Sequence, residues 1–272
     1  MSGYATVVLD DEVVALETLR LATFSDGFFF GCGLFETLAL TDDGPQLLGR
    51  HLARLRRGLV ALPVLPRPRD ELLEEAAVRA LLERGARQAA QRAGRRPDVV
   101  KITCADGHVL MTFRDAPPDR ALRQREGLAV DFVDAGSYRA GDRYANHKTI
   151  SYLRSYSHLR APLLFANERN EICESPTANV FLRFEDRIVT PPIASPCLPG
   201  IIREVLLEAR SLDGVPIVEE AVPADRLTRA HAAFLSSSLS IAVPIPQLLG
   251  RALPASSELA AAARALVAGC SR

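Results

Sequence analysis

Hydrophobic and polar positions alternate along TVVLDDEVVAL, residues 6–16, and break at Asp10 and Asp11, which predicts an opening β-hairpin. Past the glycine-rich stretch DGFFFGCG, the run LFETLAL reads as a further strand, whereas LLGRHLARLRRGLVAL spaces its apolar residues for a helix with arginines opposite. A long helix is predicted from about Asp70 to Arg92, and DVVKITC and HVLMTF give two strands around a turn at Asp106-Gly107. The polar, proline-bearing stretch RDAPPDRALRQREG, residues 114–127, reads as a linker, with an N-terminal domain over 1–118 and a C-terminal one over 119–272. Beyond it LAVDFVD is predicted as a strand, HKTISYLRSYSHL as a helix and NEICESPTANVFLRFEDRIVTPP as a run of short strands. LPGIIREVLLEARSL sets proline and glycine at a helix start, and AAFLSSSLSIAVPI reads as a strand ending in a serine cluster. The pattern is mixed α/β, with strands too irregularly placed for a regular βαβ series.

Composition narrows the function classes. The 272 residues suffice for one large or two medium domains. Thirty-three basic and thirty-three acidic residues cancel, so no excess charge draws the chain to nucleic acid or to an anionic membrane. The arginines between Arg79 and Arg96 alternate with glutamate and alanine at helical spacing, as on a solvated helix face. Five scattered cysteines, never at zinc spacing, read as reduced thiols. With no stretch of roughly 20 apolar residues, the expectation is a cytoplasmic protein without membrane contact.

Of the 33 basic residues 31 are arginines; only Lys101 and Lys148 are lysines. An arginine-rich chain has a chemical reason to keep lysine where an amine must lose its proton and condense with a carbonyl, because guanidinium stays protonated. Three other stretches bear on Lys148. EICESPTANVF sets Glu174 among apolar strand residues, where a carboxylate needs a cation to meet it. LPGIIR offers bare backbone N–H groups at a helix start, which suits a phosphate. HLARL turns Arg54 inward on its helix, where a guanidinium needs an anion.

In this order, together with DGFFFGCGLFET, these stretches resemble the fold-type IV pyridoxal-phosphate enzymes, or class IV aminotransferases, which include branched-chain and D-amino-acid aminotransferases and 4-amino-4-deoxychorismate lyase. The resemblance implies two α/β domains with pyridoxal 5'-phosphate between them, a homodimer, and a small-molecule amino substrate. It further implies that Lys148 holds the cofactor covalently and shuttles protons, with Lys101 the other candidate amine. Glu174 would pair with the pyridinium nitrogen, and Tyr152, one helical turn after Lys148, would reach the ring hydroxyl. Arg54, the amides of Ile201 and Ile202, and the Ser238 hydroxyl would hold the phosphate. Phe28 and Phe30 would line the substrate side. Two departures stand out: HLRAPLLFANERNE is shorter than in the family, and the arginine that many relatives carry after the KITC strand is replaced by Ala105 and Asp106, leaving Arg114 or Arg143 to substitute.

The leading expectation is a lyase that eliminates pyruvate from aminodeoxychorismate to leave p-aminobenzoate. Thr37 in FET, at a position where lyases carry a hydroxyl, and the ending SSSLSIAVPI favour it. An aminotransferase for branched-chain, aromatic or D-amino acids is the alternative. A non-catalytic binding homologue is the third possibility, against which the presence of both Lys148 and Glu174 argues.

Overall fold

The computed structural model describes residues 3–19, 25–158 and 163–270. The chain divides into two compact units, Met1–Pro118 with Lys148–Tyr152, and Asp119–His147 with Leu153–Arg272. The five residues from Lys148 thus belong with the first unit, whereas the sequence reading put the lysine in the second.

In the first unit, β1 (Gly3–Leu9) and β2 (Glu12–Ala15) form the expected hairpin, and a short helix α1 (Asp26–Phe30) occupies the glycine-rich stretch. The Ser25 side chain caps it by accepting from Phe28 N. There follow β3 (Gly33–Thr41), β4 (Gly44–Pro45), α2 (Leu48–Ala61), α3 (Glu75–Ala93), β5 (Val99–Ala105) and β6 (His108–Arg114). They make one sheet in the order β2-β1-β6-β5-β3-β4, antiparallel throughout. The Asp106-Gly107 turn has φ of 53° and 82°, the left-handed pair that a two-residue hairpin loop requires.

Alternation decides which face of this sheet the helices cover. Leu34, Leu38, Val100, Ile102 and Met111 are buried together with Leu48, Leu52 and Leu55 of α2 and Leu82 of α3. Each such side chain contributes roughly 1.5–3 kcal/mol on leaving water. The opposite face carries Phe35, Thr37, Lys101, Thr103, Thr112 and Arg114, with Lys101 in register between Thr37 and Thr112.

The second unit opens with α4 (Arg120–Glu126), inside the stretch read as linker, and β7 (Phe132–Tyr138). Among the described residues of the predicted helix HKTISYLRSYSHL, only Leu153–Tyr156, α5, is helical. Thr149 and Ile150 are β-branched, and their backbone pairs with β3 of the first unit: Thr149 bridges Leu34, and Ile150 N donates to Gly33 O at 3.0 Å. Leu159–Pro162, within the segment read as shortened, and Phe24, just ahead of DGFFFGCG, lie outside the described residues. Then come β8 (Leu163–Asn167), β9 (Asn179–Arg183), β10 (Ile188–Thr190), α6 (Ile201–Ala209), β11 (Ser211–Leu212), β12 (Val215–Glu219), β13 (Ala232–Ser237), β14 (Ile241–Pro244) and a closing helix α7 (Ser256–Cys270). The main sheet runs β11-β12-β10-β9-β13-β14, and β7 pairs with β8 in parallel. AAFLSSSLSIAVPI is therefore two strands, and the serine cluster turns the chain between them. Among the described residues no helix is long and apolar enough to cross a membrane.

Candidate active site

The strand pairing on β3 fixes Lys148. Its carbonyl accepts from Phe35 N at 2.9 Å, and its Nζ lies 4.4 Å from the centre of the Phe35 ring and 5.7 Å from that of Tyr152. The Tyr152 ring meets Phe35 edge-on at 5.5 Å. Tyr152 thus neighbours Lys148 as expected, but through an extended segment and a shared aromatic contact and not through a helix face. Lys101, the other candidate amine, also sets its Nζ 4.4 Å from the Phe35 centre. Thr37 stands directly opposite Lys101 and two residues along the strand from Phe35, so all three share one face.

The anion that Arg54 meets within this unit is Glu36. Arg54 Nε donates to Glu36 Oε1 at 2.8 Å and Arg54 Nη2 to Oε2 at 2.6 Å, while His51 Nδ1 lies 2.7 Å from the same Oε2. All three are buried, at 7%, 1% and 1% exposure for Arg54, Glu36 and His51. Burial pushes the Glu36 carboxyl up, but the charge and hydrogen bonds of Arg54 and the hydrogen bond of His51 outweigh it and hold it at about 2. Burial dominates for His51 and lowers it despite Glu36, with the charges of Arg54 and Lys148 pressing the same way. A neutral His51 then donates from Nδ1 to Glu36. The sequence reading missed Glu36 and His51. The signal was available in the spacing HLAR, which puts His51 and Arg54 on one helix face, and in an inward glutamate of the adjoining strand.

In the second unit Glu174 is buried and held by neutral donors. Tyr138 Oη donates to Oε1 at 3.0 Å, and Leu198 N and Asn179 Nδ2 donate to Oε2 at 3.0 and 3.4 Å. Asn179 Nδ2 also donates to Leu198 O at 2.8 Å, which ties the carboxylate to the turn before α6. Tyr138 was not anticipated, since its residue type and position in β7 carry no sequence mark. Gly200 caps α6 without a side-chain bond, and a Cβ there would sit 2.0 Å from Asn179 Oδ1. The first-turn amides of Ile201 and Ile202 have no acceptor within the helix, while both side chains pack into the core. Ser238 is half-buried in the turn between β13 and β14.

Phe28 and Phe30 are exposed, each at 70%. Arg143 stacks on Tyr144 at 5.1 Å and is exposed, whereas Arg114 is half-buried at the end of β6 on the face that carries Lys101. Burial pushes the Cys104 and Cys197 thiols up to about 12 and raises Cys173 as well, so these cysteines stay protonated and inert. The first unit thus offers an amine and a buried guanidinium, and the second a carboxylate set among neutral donors and a bare helix start.

Comparison with known proteins identifies the family. The family model described as amino-transferase class IV matches residues 33–248. The aminodeoxychorismate lyase of Bacillus subtilis is 24% identical over 246 residues, covering 84% of this chain and 81% of the relative. A bifunctional aminodeoxychorismate lyase / D-amino acid transaminase of Mycobacterium tuberculosis is 26% identical over 254 residues, covering 82% and 84%. Among solved structures, a hypothetical aminotransferase of Mycobacterium tuberculosis in its apo form superposes with a TM-score of 0.84 at 23% identity, covering 98% of this chain and 99% of its own. The chain belongs to the class IV aminotransferase family, fold-type IV enzymes that work with pyridoxal phosphate.

Proposed function

We propose that this enzyme is a lyase of the family, eliminating pyruvate from aminodeoxychorismate to leave p-aminobenzoate or a related aromatic amine. The observation that carries the reading is Thr37, whose hydroxyl lies on the same sheet face as the ring that holds Lys148 Nζ. The name of the Bacillus subtilis relative supports it. The double name of the tubercular relative keeps amino transfer as the second reading. The reading includes a homodimer working in the cytoplasm on a small amino substrate.

When bound, pyridoxal phosphate supplies an electron sink, effective while its ring nitrogen is protonated. Lys148 would hold the cofactor through its amine and would carry protons at Nζ. The strand pairing of its backbone limits how far that amine can wander. Glu174 takes the ring-nitrogen proton's charge; with Tyr138, Asn179 and Leu198 N occupying its oxygens, its orientation is set in advance. Arg54, the Ile201 and Ile202 amides and the Ser238 hydroxyl would bind phosphate, and Tyr152 would take the ring hydroxyl. Thr37 passes a proton toward the leaving group. Phe28 and Phe30 offer apolar rings to an aromatic substrate. The deciding experiment is an assay of pyruvate release from aminodeoxychorismate beside amino transfer from L- and D-amino acids to 2-oxo acids. Transfer without elimination replaces this reading by the second.

A further inference from the structure

The chain spends arginine at 31 of its 33 basic positions, and the fold brings both of its lysines to one aromatic ring. Each Nζ lies 4.4 Å from the centre of Phe35, so the two amines are no further apart than twice that distance. They arrive from different elements, Lys148 from the segment paired to the edge of β3 and Lys101 from β5, one strand over. Lys101 is half-buried and, among the described residues, has no carboxylate partner. Its neighbours on the sheet face are Phe35, Thr37 and Thr112, with Arg114 one step further along β6. Burial and the charge of Arg114 both work against its protonation.

We propose that Lys101 is a tuning residue for Lys148: its ammonium, beside the same Phe35 ring, favours the deprotonated amine of Lys148, the form that attacks a carbonyl. The inference rests on the reading of Lys148 as the cofactor lysine. Among the described residues of this unit, the buried groups beside β3 do not supply the same push. Glu36 and Arg54 neutralise each other, and burial keeps His51 neutral. Arg114 adds charge of the same sign behind Lys101. A like charge in a half-buried setting raises the cost of protonating its neighbour, and the aromatic ring they share attracts both amines without neutralising either. The arrangement gives a reason for the second lysine that packing does not.

The scarcity of lysine makes the test direct. Selective 13C labelling of lysine in the full chain, dialysed against hydroxylamine so that both amines are free, yields two side-chain signals to titrate. Loss of one signal in Lys101→Met assigns the other to Lys148. The Lys148 midpoint should rise by about one pH unit in Lys101→Met, the size expected of a like charge at this separation. It should stay in place in Lys101→Arg, which keeps the charge. Lys101→Gln is the second neutral variant should the methionine disturb folding. A Lys148 midpoint that does not move in the neutral variants, or that moves as far in Lys101→Arg, overturns the proposal. Uptake of pyridoxal phosphate, followed by its absorbance, is scored separately. If Lys148→Ala takes up the cofactor as the parent does, the cofactor reading fails while the titration still decides on Lys101.

Discussion

Arg54 grips both oxygens of Glu36, at 2.8 and 2.6 Å, with the pair shut away between β3 and α2. A buried guanidinium and carboxylate in this geometry constrain each other, and removing one strands the other in low dielectric at a cost of about 3–5 kcal/mol. Glu36→Ala should therefore lower stability by about that amount. Its fluorescence- or calorimetry-detected unfolding should shift accordingly. If Arg54 binds the phosphate as proposed, Arg54→Ala should add a loss of affinity for pyridoxal phosphate, measured by equilibrium dialysis, since a charge-assisted phosphate contact is worth roughly 1.5–3 kcal/mol.

The same pair fixes an acid limit. Glu36 is held at about 2 in the fold, below its ordinary value of 4.5, so the unfolded chain binds the proton more tightly. The stabilisation from this group is present above about 4.5 and is lost as pH falls from there toward 2, on the order of 3 kcal/mol in all. Urea midpoints taken across that window should fall with pH in the parent. In Glu36→Gln the fall should be smaller by this share; an unchanged slope would show that Glu36 does not carry it.

Gly200 is required by space and not by its backbone angles. A Cβ would stand 2.0 Å from Asn179 Oδ1, and Asn179 bonds both Glu174 and Leu198 O. Gly200→Ala should displace Asn179, loosen Glu174 and disturb the start of α6 together, weakening cofactor uptake. Asn179→Ala in the Gly200→Ala background removes the clash, so the double variant should lose less than the sum of the two single losses.

Much of this was legible from residues alone, for identifiable reasons. Strong alternation gave the strands on either side of Asp106-Gly107, and proline and glycine marked the start of α6. Lys148, Glu174 and the helix start stood out because each is chemically expensive or rare in its setting. The segment after Lys148 was misread, because its apolar spacing fits a helix, while its extended shape depends on an edge of β3 more than a hundred residues earlier. Glu36 escaped for a related reason: a glutamate in an apolar strand is explained only by a partner on another element.

Borohydride reduction followed by peptide mapping should place the pyridoxyl label on Lys148, the amine anchored to Phe35 by backbone and ring. A label on Lys101 would exchange the two roles, since both amines border the same ring. Glu174→Gln should retain the cofactor but lose most turnover, as a neutral amide does not hold the ring nitrogen protonated. The amide nitrogen would also face the donor Leu198 N or the Tyr138 hydroxyl, costing about 1–3 kcal/mol for the donor left unsatisfied.

The choice between elimination and transfer turns on Thr37. An eliminating enzyme has to bring a proton to its leaving group, and a hydroxyl on the Lys148 side of the sheet can relay one, taking up a proton as it gives one and so staying neutral. A transferring enzyme has instead to release one oxo acid and admit another, a task that depends on gripping carboxylates and not on that hydroxyl. Thr37→Val keeps the shape and the β-branch of the side chain and removes the proton carrier, so the strand and its register with Lys101 should persist. Pyruvate release from aminodeoxychorismate should fall by 10²-fold or more, roughly the share a positioned acid–base group contributes, while cofactor absorbance stays as in the parent. Thr37→Ser, which keeps the hydroxyl, should recover much of the rate. If the valine variant eliminates as fast as the parent, the proton comes from elsewhere, with Lys148 itself the next group to test.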